Sequence, residues 1–184
     1  MEAILEKIKD FADKAHGQQM RKYTPDRYIV HPARVMNICK EYTNDISILS
    51  AALLHDVLED TSTTKTGIKN FLSTVMTEQQ INKTLMLVED LTDVYTKQNY
   101  PQWNRRQRKQ KEAERLSKTH PDAQTIKYAD LIDNSVEIVN HDRDFASVFL
   151  HEGRAILEKI NKGNPRLYQR AIETIENVIQ QLEQ

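Results

Sequence analysis

The apolar run Ala51-Ala52-Leu53-Leu54 passes without interruption into His55-Asp56-Val57-Leu58-Glu59-Asp60-Thr61, which delivers four ionisable side chains within six positions. At 3.6 residues per turn, one helix over this stretch stacks His55 above Glu59 and Asp56 above Asp60, all on one side. Ala51, Leu54, Val57 and Leu58 then turn inward. Burying acids beside an imidazole costs several kcal/mol unless the charge is compensated. A divalent cation is the compensation such a donor set accepts most readily. The competing reading, a surface ion pair or cap, fits the apolar lead-in poorly, because a solvated helix spreads its charges around its circumference. The stretch reads as a metal site with two catalytic carboxylates, Glu59 and Asp60, one turn downstream.

The rest of the chain supplies helices around it. Ile4, Ile8, Phe11 and Ala15 give an amphipathic helix over 2–16 with Gly17 as its stop, and Gln18 to Arg27 reads as an exposed polar loop. In Tyr28-Ile29-Val30-His31-Pro32 the proline takes the first helical position, which puts His31 at the cap of a helix through Val35, Ile38 and Cys39. Asp45 caps a helix running Ile46 to Asp60, and a short helix lies around Ile68 to Val75. Thr77, with Gln80 three residues on, opens a helix through Ile81, Leu85, Val88 and Leu91. Residues 94–103 lack a helical period and read as a connection or lid. A cationic helix from Asn104 to Leu116 follows, then one opened by Pro121 through Ile126, Ala129, Ile132, Val136 and Val139, then helices over 145–162 and 165–182. There is no hairpin dipeptide and no strand-helix alternation, so the fold is all-α. No long linker divides the chain, which is expected to form one domain over residues 1–184, with the motifs within 16–140 and residues 141–184 packing on the core.

A formal net charge of -1 argues against a nucleic-acid or anionic-membrane partner. One cysteine, Cys39, excludes an internal disulfide and fits a reducing cytoplasm, where the protein is expected to be soluble. No stretch approaches membrane-spanning length.

His55 and Asp56 supply two ligands where a metal needs three or four. Positioned donors elsewhere are His31, fixed beside Pro32, and Asp130, an ionised group on an otherwise core-facing helix. Two imidazoles and two carboxylates suit manganese, iron or zinc better than calcium or magnesium. Lys127 and Asn134 share the Asp130 face at helical spacing, where a cation and an amide would hold substrate.

His31, His55-Asp56 and Asp130 together resemble the ligand set of the HD-domain metal-dependent phosphohydrolases. Ala15-His16, Gln19, Arg21-Lys22, Tyr28 to Pro32, Ala51 to Thr61, Glu89 to Asp93 and Lys127 to Asp130 with Asn134 are similar, in order, to the hydrolase domain of the Rel/Spo alarmone enzymes and their small stand-alone relatives. The resemblance implies an all-helical single HD domain, one divalent ion, usually manganese, and removal of pyrophosphate from the 3′ position of a guanosine polyphosphate such as ppGpp. It makes His31, His55, Asp56 and Asp130 the metal ligands and Glu59 and Asp60 the catalytic carboxylates. Arg21, Lys22 and Asn134 become nucleotide contacts. The turn Tyr23-Thr24-Pro25-Asp26-Arg27 is one residue longer than the family's, and Leu131 follows Asp130 where a basic residue is usual.

Of the cations in 105–115, Arg105 and Arg108 share a face and read as a phosphate clamp, with a solvated face carrying Glu112 and Glu114 as the other reading. His141-Asp142 reads as a turn. A small phosphorylated nucleotide is therefore the expected substrate, with nucleoside mono- or triphosphates, or a metal-holding regulatory module without turnover, as alternatives.

Overall fold

A helix that is apolar on every side has to be wrapped by others, and the amino-terminal half of the chain is arranged accordingly. In the computed structural model, which describes residues 1–183, the elements are helices, and the β pairing among the described residues is one isolated antiparallel bridge between Met20 and Arg27. The residues gather in two compact units, Met1–Thr92 and Asp93–Gln184. None of the described helices is long and apolar enough to cross a membrane.

The first unit holds α1 (Glu2–His16), α2 (Val30–Lys40), α3 (Ile46–Leu54), α4 (Val57–Asp60), α5 (Lys65–Leu72) and α6 (Glu78–Leu91). Ser47 through Leu54 of α3 are all buried, and α1, α2 and α6 pack against that helix. Asp45 starts it: the carboxylate accepts the Ser47 N–H at 2.8 Å and meets Lys83 of α6 at 2.8 Å, so one side chain caps a helix and ties down its neighbour. At α6 the box expected of Thr77 and Gln80 is formed, and Ile81, Leu85, Val88 and Leu91 are buried.

Three sequence expectations shift here. The buried stripe of α1 is Leu5, Ile8, Ala12 and His16, one position round from the expected one, because Phe11 turns outward to stack on Phe71 with ring centroids 4.2 Å apart. α2 begins at Val30, so His31 lies inside its first turn rather than at the cap, and Pro32 occupies a first-turn position whose N–H has no helical partner to lose. The helix expected from Ile46 to Asp60 is two helices, broken at His55-Asp56.

The second unit holds α7 (Arg105–Leu116), α8 (Pro121–Ile138), α9 (Arg143–Leu157) and α10 (Pro165–Leu182), with α8 packed on α9 and α10 and α7 on α9. Tyr128 of α8 is fully buried, donates to the Ile160 carbonyl at 3.0 Å and accepts from the Gly163 N–H at 3.2 Å. That approach needs a glycine: a Cβ at Gly163 would stand 2.7 Å from the Tyr128 ring and 2.8 Å from the Thr125 nitrogen. Along α8, Ile126, Ala129 and Ile132 face the core as expected, but Val136 is 53% exposed, and Ser135 and Ile138 take the inward positions. Asp142 caps α9 by accepting from the Phe145 N–H, so His141-Asp142 lies at a helix entry.

Glu112 is no part of a solvated face. It is 2% exposed; one carboxylate oxygen accepts the backbone N–H groups of Val94 and Tyr95 at 3.1 and 3.0 Å, and the other meets Arg115. The connection 94–103 is thereby pinned to α7, and Trp103 stacks on both Tyr95 and Tyr100 along it, with the two tyrosine rings tilted against each other.

Candidate metal centre

The break between α3 and α4 is what shapes the site. The Nδ1 of His55 lies 2.8 Å from the Ala52 carbonyl, an oxygen that only accepts, so Nδ1 carries the proton and Nε2 presents its lone pair. That bond takes up a carbonyl of the last helical turn, and Asp56, no longer in register with α3, becomes the entry to α4. His55 and Asp56 therefore converge on one point instead of lying one turn above Glu59 and Asp60 on a continuous helix.

Asp56 Oδ2 is 3.1 Å from His55 Nε2 and 3.7 Å from His31 Nε2, and the donor atoms of the three residues lie within 4.8 Å of one another. The two imidazoles are buried and meet edge to face at 5.3 Å. The His55 Nε2 lone pair and the Asp56 carboxylate oxygen, 3.1 Å apart beside the His31 ring, repel unless positive charge stands among them. Two imidazoles with a carboxylate are a donor set for a divalent transition ion, and these residues fit one.

Asp130, the fourth expected ligand, is on α8 in the second unit. It is buried, and its two carboxylate oxygens are held from either side, Oδ2 by Lys127 at 2.7 Å and Oδ1 by the Asn134 amide at 2.6 Å. Lys127 and Asn134, expected to hold substrate, both spend hydrogen bonds on Asp130.

Tyr28 is the residue the sequence left without a role. Its hydroxyl donates to Asp56 Oδ2 at 2.7 Å and also faces Asp60. Burial first, then the charges of Asp56 and Asp60, push the phenol far above its ordinary range, so the hydroxyl remains a donor. Behind it, the buried His16 ring lies on Tyr28 at 4.5 Å and bonds through Nδ1 to the Gln19 carbonyl oxygen at 2.9 Å. The other end of the Gln19 amide donates to Asp60 at 3.3 Å. The available signal was an aromatic side chain three residues ahead of a positioned histidine, in a loop otherwise polar.

Glu59 and Asp60 are exposed on α4. Arg21 sits over the Tyr28 ring at 5.6 Å, and Lys22 bonds the Tyr23 hydroxyl at 2.8 Å. The longer turn is closed by the Arg21 N–H on the Asp26 carbonyl at 2.9 Å and by the Thr24 hydroxyl on the Asp26 carboxylate at 2.9 Å. In the second unit Arg105 forms a two-point bond with Glu152, 2.7 Å on each arm, and Arg108 donates to the Trp103 carbonyl.

Comparison with known proteins bears on this geometry. A family model described as HD domain matches residues 9–134. The human guanosine-3′,5′-bis(diphosphate) 3′-pyrophosphohydrolase MESH1 is 35% identical over 130 residues, which is 68% of this chain and 64% of that protein. The Aquifex aeolicus guanosine-3′,5′-bis(diphosphate) 3′-pyrophosphohydrolase is 45% identical over 65 residues, 35% of this chain but 9% of that one. The matched stretch thus spans less than two thirds of either relative. The solved structure of a metazoan orthologue of SpoT that hydrolyses ppGpp superposes with a TM-score of 0.79 at 22% identity, covering 95% of both chains, and so shares the fold. With the family model spanning more than half of its 184 residues, the chain belongs to the HD-domain family.

Proposed function

We infer that the protein is a metal-dependent hydrolase of guanosine 3′,5′-bis(diphosphate) that acts in the cytoplasm and releases pyrophosphate from the 3′ position. The observation that carries this is the buried convergence of His31, His55 and Asp56 with Glu59 and Asp60 in the next turn of chain. The human and Aquifex relatives, both named for that reaction, support it.

A divalent cation held by His31, His55 and Asp56, manganese by preference for mixed nitrogen and oxygen donors, would supply polarisation of a phosphoryl oxygen and a more acidic water. In the reaction, water attacks the phosphorus joined to the ribose 3′ oxygen. That P–O bond breaks, and the ribose oxygen leaves with a proton as a hydroxyl. Asp60, oriented by Gln19, takes the proton from the attacking water, and Glu59 beside it shares that duty. Tyr28 keeps Asp56 turned toward the two imidazoles. Arg21 and Lys22 meet the phosphates of the nucleotide, as guanidinium and ammonium groups suit.

The test is hydrolysis of a nucleotide panel with manganese present or chelated, with pyrophosphate and phosphate measured separately. Pyrophosphate from 3′-diphosphorylated guanosine alone, abolished by chelation, is the expected result. Phosphate from ordinary nucleotides would overturn the substrate, and turnover indifferent to chelation would overturn the mechanism. Glu59→Gln and Asp60→Asn are expected to keep metal content and lose turnover.

A further inference from the structure

The cationic run that the sequence marked as a phosphate clamp is only partly available for one. Arg105 is committed to Glu152, Arg108 to a backbone carbonyl, and Lys109 to Asp93 at 3.1 Å. Arg106 is different: it is exposed and makes no ion pair or hydrogen bond through its side chain among the described residues. It stands on the rim of a cavity of about 750 Å³ lying wholly within the second unit, between α7 and α9. Lys159, just past the end of α9 and within electrostatic reach of Glu114, stands on the same rim.

Several of the lining positions are small. Ala113 of α7 and Ser147 and Ala155 of α9 line it, where leucine-sized side chains would ordinarily interdigitate and fill the gap between two packed helices. The two-point Arg105–Glu152 bond bridges the same helices as a spacer, with the Arg105 guanidinium itself braced over the Phe145 ring at 5.1 Å. The result is a slot lined by small side chains together with Gln110, Val148, His151 and Ile156, with cations at its mouth.

We propose that this α7–α9 cavity binds a small phosphorylated molecule with a flat body, of the nucleoside polyphosphate class, its ring system between the alanine faces and its phosphates on Arg106 and Lys159. The volume is that of small-molecule sites. Of the charged side chains lining it, Arg105 is offset by Glu152 and Lys109 by Asp93, which leaves Arg106 and Lys159 as the positive charge at its mouth, so an anion is the occupant that the field favours. The guanidinium fork of Arg106 matches two phosphate oxygens at once. Such a molecule binds here as an effector nucleotide, separate from the one at the metal cluster.

The probe is guanosine 5′-diphosphate, titrated calorimetrically into the full chain in EDTA. Binding is expected in the wild type. The Kd should rise at least tenfold both in the double variant Arg106→Glu/Lys159→Glu and in Ala155→Trp, which fills the slot. His55→Ala, which dismantles the metal cluster, should leave the Kd within twofold. The charge-reversed positions are exposed, so that variant keeps its fold if Ala155→Trp does not, and a melting curve checks each. No binding in the wild type overturns the proposal. So does binding that survives the double variant but is lost in His55→Ala, since the nucleotide would then sit at the metal cluster. Hydrolysis kinetics test the same assignment: the double variant should keep the wild-type KM and lose the response to added diphosphate, and a raised KM would overturn a separate effector site.

Discussion

Replacing Tyr28 by phenylalanine removes a single oxygen from the metal centre. The lost interaction is a 2.7 Å hydrogen bond to a carboxylate oxygen that itself lies 3.1 and 3.7 Å from two imidazole nitrogens. A hydrogen bond to a charged group contributes about 1.5–3 kcal/mol. At about 1.4 kcal/mol per decade, that is roughly 10- to 100-fold in affinity, the range usually seen when a group supporting a metal ligand is lost. The phenyl ring keeps its place on His16, so the helical spectrum of the metal-free protein should not change. The assay is competition for manganese against a chromophoric chelator, wild type against Tyr28→Phe. Because burial and two carboxylates hold the phenol far above its ordinary range, the hydroxyl is a donor throughout, and the ratio of affinities should stay constant from pH 7 to pH 10. A ratio below twofold would refute the positioning argument, and a ratio that collapses on approaching pH 10 would show that the hydroxyl ionises and refute the account of its surroundings.

Other perturbations have comparably direct readouts. Asp45→Ala removes a helix cap and the Lys83 partner and should cost about 1–2 kcal/mol in denaturant unfolding. Burial opposes ionisation of that carboxyl, but Lys83 and the Ser47 N–H outweigh it and hold its pKa below the ordinary value. Its contribution is therefore present above the unfolded pKa and is lost as the pH falls through the folded one, so wild type and variant should converge in acid. Gly163→Ala should lower the melting midpoint by several degrees, the mark of about 1–3 kcal/mol of overpacking against Tyr128. Burial pushes the Cys39 thiol up to about 12, so a thiol reagent at pH 8.5 should react only after denaturation. Because the unfolded thiol ionises first, Cys39 should subtract stability as the pH rises from about 9 toward 12, and Cys39→Ala should lose that slope.

The capped and striped helices could be read from the sequence. Thr77 with Gln80, and the apolar spacing from Leu167 to Val178, describe helices whose inward faces follow from period alone. What could not be read was decided by single side-chain contacts. Phe11 rotates a helix by finding Phe71, and His55 breaks one by bonding the Ala52 carbonyl. Glu112 disappears into the interior because two backbone N–H groups and Arg115 wait for it, although its neighbours in sequence are those of an exposed face. At the metal centre, donor residue types at His31, His55 and Asp56 were legible, since few arrangements bury such groups together. The support from His16, Gln19 and Tyr28 was not, because each is an ordinary residue until the fold points it at a carboxylate.

His31 and His55 are only 24 positions apart, and both lie in the first compact unit with Asp56. Closing a segment of that length costs little chain entropy, and each doubling of length would add only about 0.6 kcal/mol. Contacts so close along the chain are the kind that form early in folding. The three candidate ligands can therefore meet as soon as the first unit has been synthesised, which would make a cation a nucleus for that unit as well as a participant in the proposed reaction.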